Sequence, residues 1–311
     1  MRAAWSVLAV AALLTLTACG TESGSDDRPH IVATTSIWAD VVGQIVGDDA
    51  TVETLIPRGS DAHDYRTTSR QVASVQEADL IVANGLGLEE GLLDVLENAA
   101  ADGANVFEIA PELEPLPFAG RHQEDPGHED DSEDGALDPH VWFDLTRVGT
   151  AAGLIAGRLS EVDDSVDWET RAREYSAELA STHQEVVRTL EAVPDDARRL
   201  VTNHDALGYF AALYGFEVIA VVIPGGSTLG DPSSADLAAL VDEIEHEGVG
   251  AIFAETTQPT RLAEAVAAEV GADVEVVELH TESLGEPGSG ADTLAGMILT
   301  NARLIADALS P

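Results

Sequence analysis

Short β-rich runs alternate with amphipathic helical stretches along most of this 311-residue chain, and no other feature restricts its fold as strongly. The runs fall at residues 30–34, 51–56, 80–83 and 105–109, with helical periodicity at 37–46, 69–77, 88–99 and 146–159. Ser36 stands where the first of these helices needs an N-cap. The alternation then restarts, with runs at 200–202, 217–223, 250–254 and 274–279 and helices at 206–214, 234–247, 261–270 and 293–309. Strands separated by helices pair in parallel, and a parallel sheet must be covered on both faces. Between the two sets, residues 168–190 contain no Pro or Gly and only sparse apolar positions (Tyr175, Leu179, Val186, Val187, Leu190) before Pro194 stops the helix. The prediction is an α/β protein of two lobes, each a mainly parallel sheet flanked by helices, joined by one long helix. The expected divisions are 29–165 for the first lobe, 166–194 for the linking helix and 195–311 for the second lobe.

Charge narrows the partners. Asp and Glu number 57 against 15 basic residues, all of them Arg, so the formal net charge is −42. A polyanion of this kind repels nucleic-acid phosphates and anionic lipid headgroups, and attracts cations without selecting one. The 45% of apolar residues is enough to build cores and excludes wholesale disorder. One stretch cannot join them: residues 121–135 hold seven acidic residues, His122 and His128, Pro126 and two glycines, the composition of a mobile acidic loop.

Cys19 is the only cysteine, so an intrachain disulfide is impossible. It follows Arg2 and a mostly apolar stretch, residues 3–18, shorter than the ~20 residues of a membrane-spanning helix. Leu16-Thr17-Ala18-Cys19-Gly20 resembles a bacterial lipobox, in which the thiol takes a diacylglycerol and becomes the mature N-terminus. On that reading residues 1–18 are a signal peptide and the small, polar residues 19–28 a tether. Acyl chains (palmitate among them) at Cys19 then hold the folded part outside the cell membrane, each buried CH2 contributing ~0.8 kcal/mol.

Ligands of open parallel sheets bind beyond the carboxyl ends of the strands. His63, His204 and Glu282 follow the runs at 51–56, 200–202 and 274–279, and His140 lies in Asp138-Pro139-His140-Val141-Trp142, shortly before a helix. Three imidazoles and one carboxylate suit a borderline divalent metal such as zinc, and two donors from each lobe place the ion in the cleft between them. Pro139 fixes the backbone at His140, and either Asp138 or Asp144 is positioned to orient its imidazole. Asp61, Asp64, Asp205 and Glu255 are nearby carboxylates with outer roles, while His30, His183, His246 and His280 read as structural or surface residues.

With these residues in order, the chain resembles the metal-binding lipoproteins of bacterial zinc/manganese ABC transporters, the cluster A-I solute-binding proteins. The resemblance spans nearly all of the mature chain. It rests on residues 59–65 with their His, on Asp138-Pro139-His140-Val141-Trp142, and on residues 204–211 followed by Tyr214-Gly215. It continues through Asp231-Pro232-Ser233, Ile252-Phe253-Ala254-Glu255 and Ser283-Leu284-Gly285. It implies that His63, His140, His204 and Glu282 bind the metal, that the lobes move little, and that a membrane permease with its cytoplasmic ATPase receives the ion. The fourth ligand of the family is usually Asp; Glu282 has one methylene more. Nitrogen-rich ligation leans to Zn2+, with Mn2+ (or Fe2+) the alternative. Zinc members of the family often carry a mobile loop rich in His and acidic residues, which the segment with His122 and His128 resembles as a short, His-poor version, an auxiliary metal-collecting device or simply a solvated insertion.

The expected function is thus a lipid-anchored, monomeric extracytoplasmic receptor for a divalent metal, with no enzymatic activity and no nucleic-acid partner. A zinc hydrolase would need an open coordination position and a general base, and the chain lacks a His-Glu-x-x-His helix motif. A surface adhesin is a third possibility for which the sequence offers no specific feature.

Overall fold

The computed structural model describes residues 28–119, 136–271 and 274–310. The first sheet contains β1 (His30–Ala33), β2 (Thr51–Thr54), β3 (Leu80–Ala83) and β4 (Val106–Glu108) in the order β2-β1-β3-β4. The second contains β5 (Arg199–Thr202), β6 (Glu217–Val221), β7 (Ala251–Glu255) and β8 (Glu275–Leu279) in the corresponding order β6-β5-β7-β8. Every pairing is parallel. Inner strands β3 (Leu-Ile-Val-Ala) and β7 (Ala-Ile-Phe-Ala-Glu) are buried along their whole length, whereas the edge strand β2 is half-buried, as expected where helices cover both faces.

The helices are α1 (Ser36–Val46), α2 (Ser69–Glu77), α3 (Leu93–Ala101), α4 (Leu145–Val162), α5 (Trp168–Leu190), α6 (Gly208–Tyr214), α7 (Ser234–Glu247), α8 (Arg261–Val270) and α9 (Leu294–Leu309). Two local expectations change. The N-cap of α1 is Thr35, whose Oγ1 accepts from Trp38 N at 3.2 Å. Ser36 instead faces the second lobe, accepting from Leu284 N at 3.1 Å. The helix expected at 88–99 starts later, because a 3-10 turn at Glu90–Leu92 leads into α3.

Helix α5 packs on α1, α4 and α9. Its buried side carries Trp168, Ala172, Tyr175, Leu179, Val186 and Leu190, while Val187 is exposed. One apolar core runs from the first sheet (Ile31, Val82) through Ile155, Leu179 and Ile298 to Phe253 of the second sheet. A smaller core under α7 and α8 is made of residues such as Val201, Ile244, Ile252 and Val266. Wide separation of the lobes would expose this shared core, at about 1.5–3 kcal/mol for each large apolar side chain. The fold therefore favours small movements at the cleft.

Both sheets reverse strand order between their two inner strands, β1/β3 and β5/β7. The crevices created there, beyond the carboxyl ends, are where such folds bind ligands.

Candidate metal centre

The four donors come from four different loops, each anchored separately. His204 lies two residues beyond β5, where Thr202 Oγ1 donates to His204 O at 2.7 Å and Asn203 N to Phe253 O at 3.0 Å. Glu282 lies three residues beyond β8. The backbone before it is fixed from both lobes: Asn301 Nδ2 of α9 donates to His280 O at 2.6 Å, and Trp142 Nε1 to Thr281 O at 3.0 Å. His140 follows Asp138 and Pro139, whose carbonyls accept from Tyr209 Oη at 2.8 Å and Asn84 Nδ2 at 3.0 Å. His63 sits in the loop between β2 and α2, in an Asx turn where Asp61 Oδ1 accepts from His63 N at 2.8 Å.

These loops bring His63, His140, His204 and Glu282 together, all buried, with one donor atom from each within 4.8 Å of every other. His140 Nε2 is 3.1 Å from His204 Nε2 and 3.1 Å from Glu282 Oε1, and His204 Nε2 is 3.5 Å from the same oxygen. A tetrahedral zinc with bonds of 2.0–2.1 Å separates its ligands by about 3.4 Å, so these three spacings fit one ion. His63 is the outer corner: its ring centroid is 5.7 and 5.5 Å from those of His140 and His204, which are 5.0 Å apart.

Carboxylates behind two of the rings decide which nitrogen faces inward. Asp138 Oδ1 accepts from His140 Nδ1 at 2.7 Å, and Glu255 Oε1 accepts from His204 Nδ1. A proton held on Nδ1 leaves the Nε2 lone pair for the centre. Glu255 also accepts from Thr281 Oγ1 at 2.8 Å, which ties the His204 support to the residue before Glu282. Of the two candidates to orient His140, Asp138 does so; Asp144 instead caps α4 through Thr146 N and Arg147 N. Neither ring nitrogen of His63 has a hydrogen-bond partner among the described residues, and Glu282 Oε1 meets only the imidazoles of His140 and His204. Inward lone pairs with nothing between them call for a cation.

Titration reflects the same demand. Burial opposes charging His140, but Asp138 and Glu282 outweigh it and push the ring up to about 9. His204 is raised well above its ordinary value, Glu255 and Glu282 overcoming burial. Glu282 is held well below the usual carboxylate range by His140, His204 and His63, despite burial. His63 moves the other way, because burial and the two neighbouring rings outweigh the attraction of Glu282.

The other histidines among the described residues stand apart from this cluster. His280 bonds to Asn301 and approaches Thr256, His183 stacks on Tyr214, and His30 faces Glu53 at the sheet edge. Asp64 is exposed and Asp61 buried. Cys19, His122 and His128 lie outside the described residues. Sequence reasoning missed Asn84, whose side chain links Trp38 Nε1 to the carbonyl before His140. It also missed Glu89, a buried carboxylate accepting from Thr34 Oγ1, Asn84 N and Gly85 N. Burial raises the Glu89 carboxyl, although these three donors favour its charged form. Neither residue follows a recognisable spacing. A third omission, Ser227 and Thr228, had a visible signal in the Gly225-Gly226 pair beyond the carboxyl end of β6.

The model of the family described as zinc-uptake complex component A, periplasmic (ZnuA), matches residues 31–308. The zinc-binding protein TroA of Treponema pallidum is 31% identical over 295 residues, 93% of this chain and 91% of that protein. The manganese-binding lipoprotein MntA of Halalkalibacterium halodurans is 28% identical over 298 residues, covering 94% and 93%. Among solved structures, the periplasmic zinc-binding protein TroA superposes with a TM-score of 0.79 at 29% identity, over 91% of this chain and all of that one. A manganese-bound periplasmic metal-binding protein of Candidatus Liberibacter asiaticus gives 0.76 at 27% identity, with the same coverage.

Proposed function

The chain belongs to the ZnuA family of metal-binding substrate-binding proteins of ABC transporters, and from that premise we propose that it captures Zn2+ outside the cytoplasmic membrane on His63, His140, His204 and Glu282. The observation that carries this reading is the convergence of Nε2 of His140, Nε2 of His204 and Glu282 Oε1 at 3.1, 3.1 and 3.5 Å, with both rings held from behind by carboxylates. Three nitrogens and one oxygen favour Zn2+ over Mn2+ in the Irving–Williams order, whereas Mn2+ prefers more oxygen donors. Mn2+ is the second reading, favoured by relatives named for manganese. Four protein donors complete a tetrahedron, which suits retention and handover rather than hydrolysis at an open position.

Among the described residues no helix is long and apolar enough to cross a membrane. Attachment is assigned to a lipidated Cys19, supported by relatives named as lipoproteins. The recipient is an ABC permease, with its ATPase on the cytoplasmic side, and the receptor acts as a monomer. His122 and His128 are assigned to weak auxiliary capture. Phe118, Ala136 and Leu137, close to both ends of their segment, line the same opening as His63.

Metal analysis of protein purified without chelator, followed by Zn2+/Mn2+ competition calorimetry, tests the assignment. One Zn2+ per chain, displaced by Mn2+ only in large excess and lost in His140→Ala, is expected. Preferential Mn2+ retention would overturn the choice of ion, and unchanged affinity in His140→Ala would overturn the ligand set.

A further inference from the structure

His63 differs from the other two imidazoles in having no carboxylate bonded to its ring; its Nδ1 lies 3.5 Å from Glu90 Oε1, beyond hydrogen-bond length. What surrounds it comes from the opposite lobe. Three consecutive residues between β6 and α7 touch the first lobe around this ligand. Gly226 lies so close to the Phe118 ring that an added Cβ would stand 2.0 Å from it. Ser227 Oγ donates to Glu90 Oε1 at 2.6 Å. Thr228 Oγ1 donates to Asp61 Oδ2 at 2.5 Å, and Gln258 Nε2 donates to the same oxygen. Asp61 Oδ1 meanwhile accepts from His63 N. A single buried carboxylate thus joins the backbone of a metal-ligand candidate to two side chains across the cleft.

We propose that residues 226–228 form an inter-lobe clasp that holds His63 in place and thereby sets the rate of metal release. This rests on the ligand assignment above. His140, His204 and Glu282 form a three-point seat fixed by supports behind them. His63 closes the fourth corner only while the clasp keeps Asp61 and Glu90 in position. When Ser227 and Thr228 withdraw, His63 loses the constraint on its loop, and the ion is left on three donors facing the opening lined by Glu90, Phe118 and Gly226. The shared core forbids wide lobe separation, so a local release of this loop supplies the exit that a large hinge motion would otherwise provide. Asp61, Ser227 and Thr228 are positioning residues in this scheme and do not touch the metal.

The test is stopped-flow transfer of Zn2+ from the loaded full chain to an excess of chromophoric chelator. Losing a hydrogen bond to a charged group is expected to speed release about tenfold in Thr228→Val, and further in the double variant with Ser227→Ala. Thr228→Ser, which keeps the hydroxyl, is expected to restore slow release, and X-ray absorption of the loaded Thr228→Val protein to show the same N3O coordination as wild type. If the double variant fails to fold, the two single variants at Thr228 carry the comparison. One-to-one binding with release unchanged in Thr228→Val overturns the clasp alone. A wild-type chain that takes up no Zn2+ overturns the ligand assignment, and the clasp with it.

Discussion

The Asp-x-His turn occurs twice in this protein, at Asp61-Ala62-His63 and at Asp138-Pro139-His140, with one local geometry and two different outcomes. In both, the aspartate Oδ1 accepts from the histidine backbone N, at 2.8 and 2.9 Å. At Asp138 the same oxygen also takes the His140 ring nitrogen, so turn and imidazole form one closed unit inside the first lobe. At Asp61 the second oxygen reaches instead to Thr228 and Gln258 of the other lobe, and the His63 ring is left without a partner among the described residues. A short motif thus sets backbone geometry but not the fate of its side chain, which depends on what the other lobe presents. On the ligand assignment proposed above, the consequence would be a division of labour between a seat at His140 closed within its own lobe and a corner at His63 held from across the cleft.

Removing ligands should separate the two turns most strongly. His140→Ala is expected to weaken Zn2+ binding by more than the about 100-fold upper range for losing an outer support, while His63→Ala leaves a weaker three-donor site measurable by calorimetry. Equal losses would erase the distinction between seat and corner. Next come the supports. Asp138→Asn and Glu255→Gln should each cost about 10–100-fold in affinity, because the tautomer and orientation of the ring are no longer enforced. Asp61→Asn should act mainly on the dissociation rate, which chelator-transfer kinetics would resolve.

Protons offer a third comparison. Asp138 and Glu282 push the His140 ring up to about 9, above the ordinary value of about 6.5. A raised histidine stabilises the fold fully below about pH 6.5, and that contribution is lost as pH rises through about 9. Denaturant titrations of chelated protein should therefore show falling stability across that window. Zn2+ affinity should rise over the same interval, since the metal must displace the proton. Asp138→Asn should move both trends to lower pH and Asp61→Asn should leave them in place, because His63 is already depressed by burial. The smallest effect is expected from Glu282→Asp, which withdraws the carboxylate by one methylene from rings that now lie 3.1 and 3.5 Å away. A loss of affinity of about tenfold, 1.4 kcal/mol, measured by competition, would show the seat to be fitted to the longer side chain.

Much of the architecture was readable beforehand because period and punctuation are local properties. Helices α2, α5, α7 and α8 span the predicted residues, each bounded by a cap or breaker in the sequence: Thr68 and Ser233 form capping boxes, and Pro194 closes the linker. The start of α1 was misplaced by one residue because Thr35 and Ser36 are equivalent as caps, and only the approach of Leu284 from the far lobe draws Ser36 away. His63, His204 and Glu282 were suggested by their positions after strands, since a parallel sheet exposes ligand-binding loops at its carboxyl edge, and His140 by its Asp-Pro-His segment before a helix. The choice between Asp138 and Asp144 was not legible, nor were the roles of Asn84, Glu89, Ser227 and Thr228. The last four depend on partners tens to more than a hundred residues away, as in the Ser227 bond to Glu90, whereas Asp138 and Asp144 bond only two or three residues off and differ in local backbone direction.

The order of residues by itself therefore determined the two parallel sheets, the helix between them and the types of donor available to an ion. Tertiary structure decided which nitrogens turn inward, which aspartate locks its own ring, and which one reaches across the cleft. Hydrophobic periodicity repeats every few residues and survives in one dimension. Hydrogen bonds between distant loops act only over about 3 Å, so they exist only once the chain has brought its two halves together.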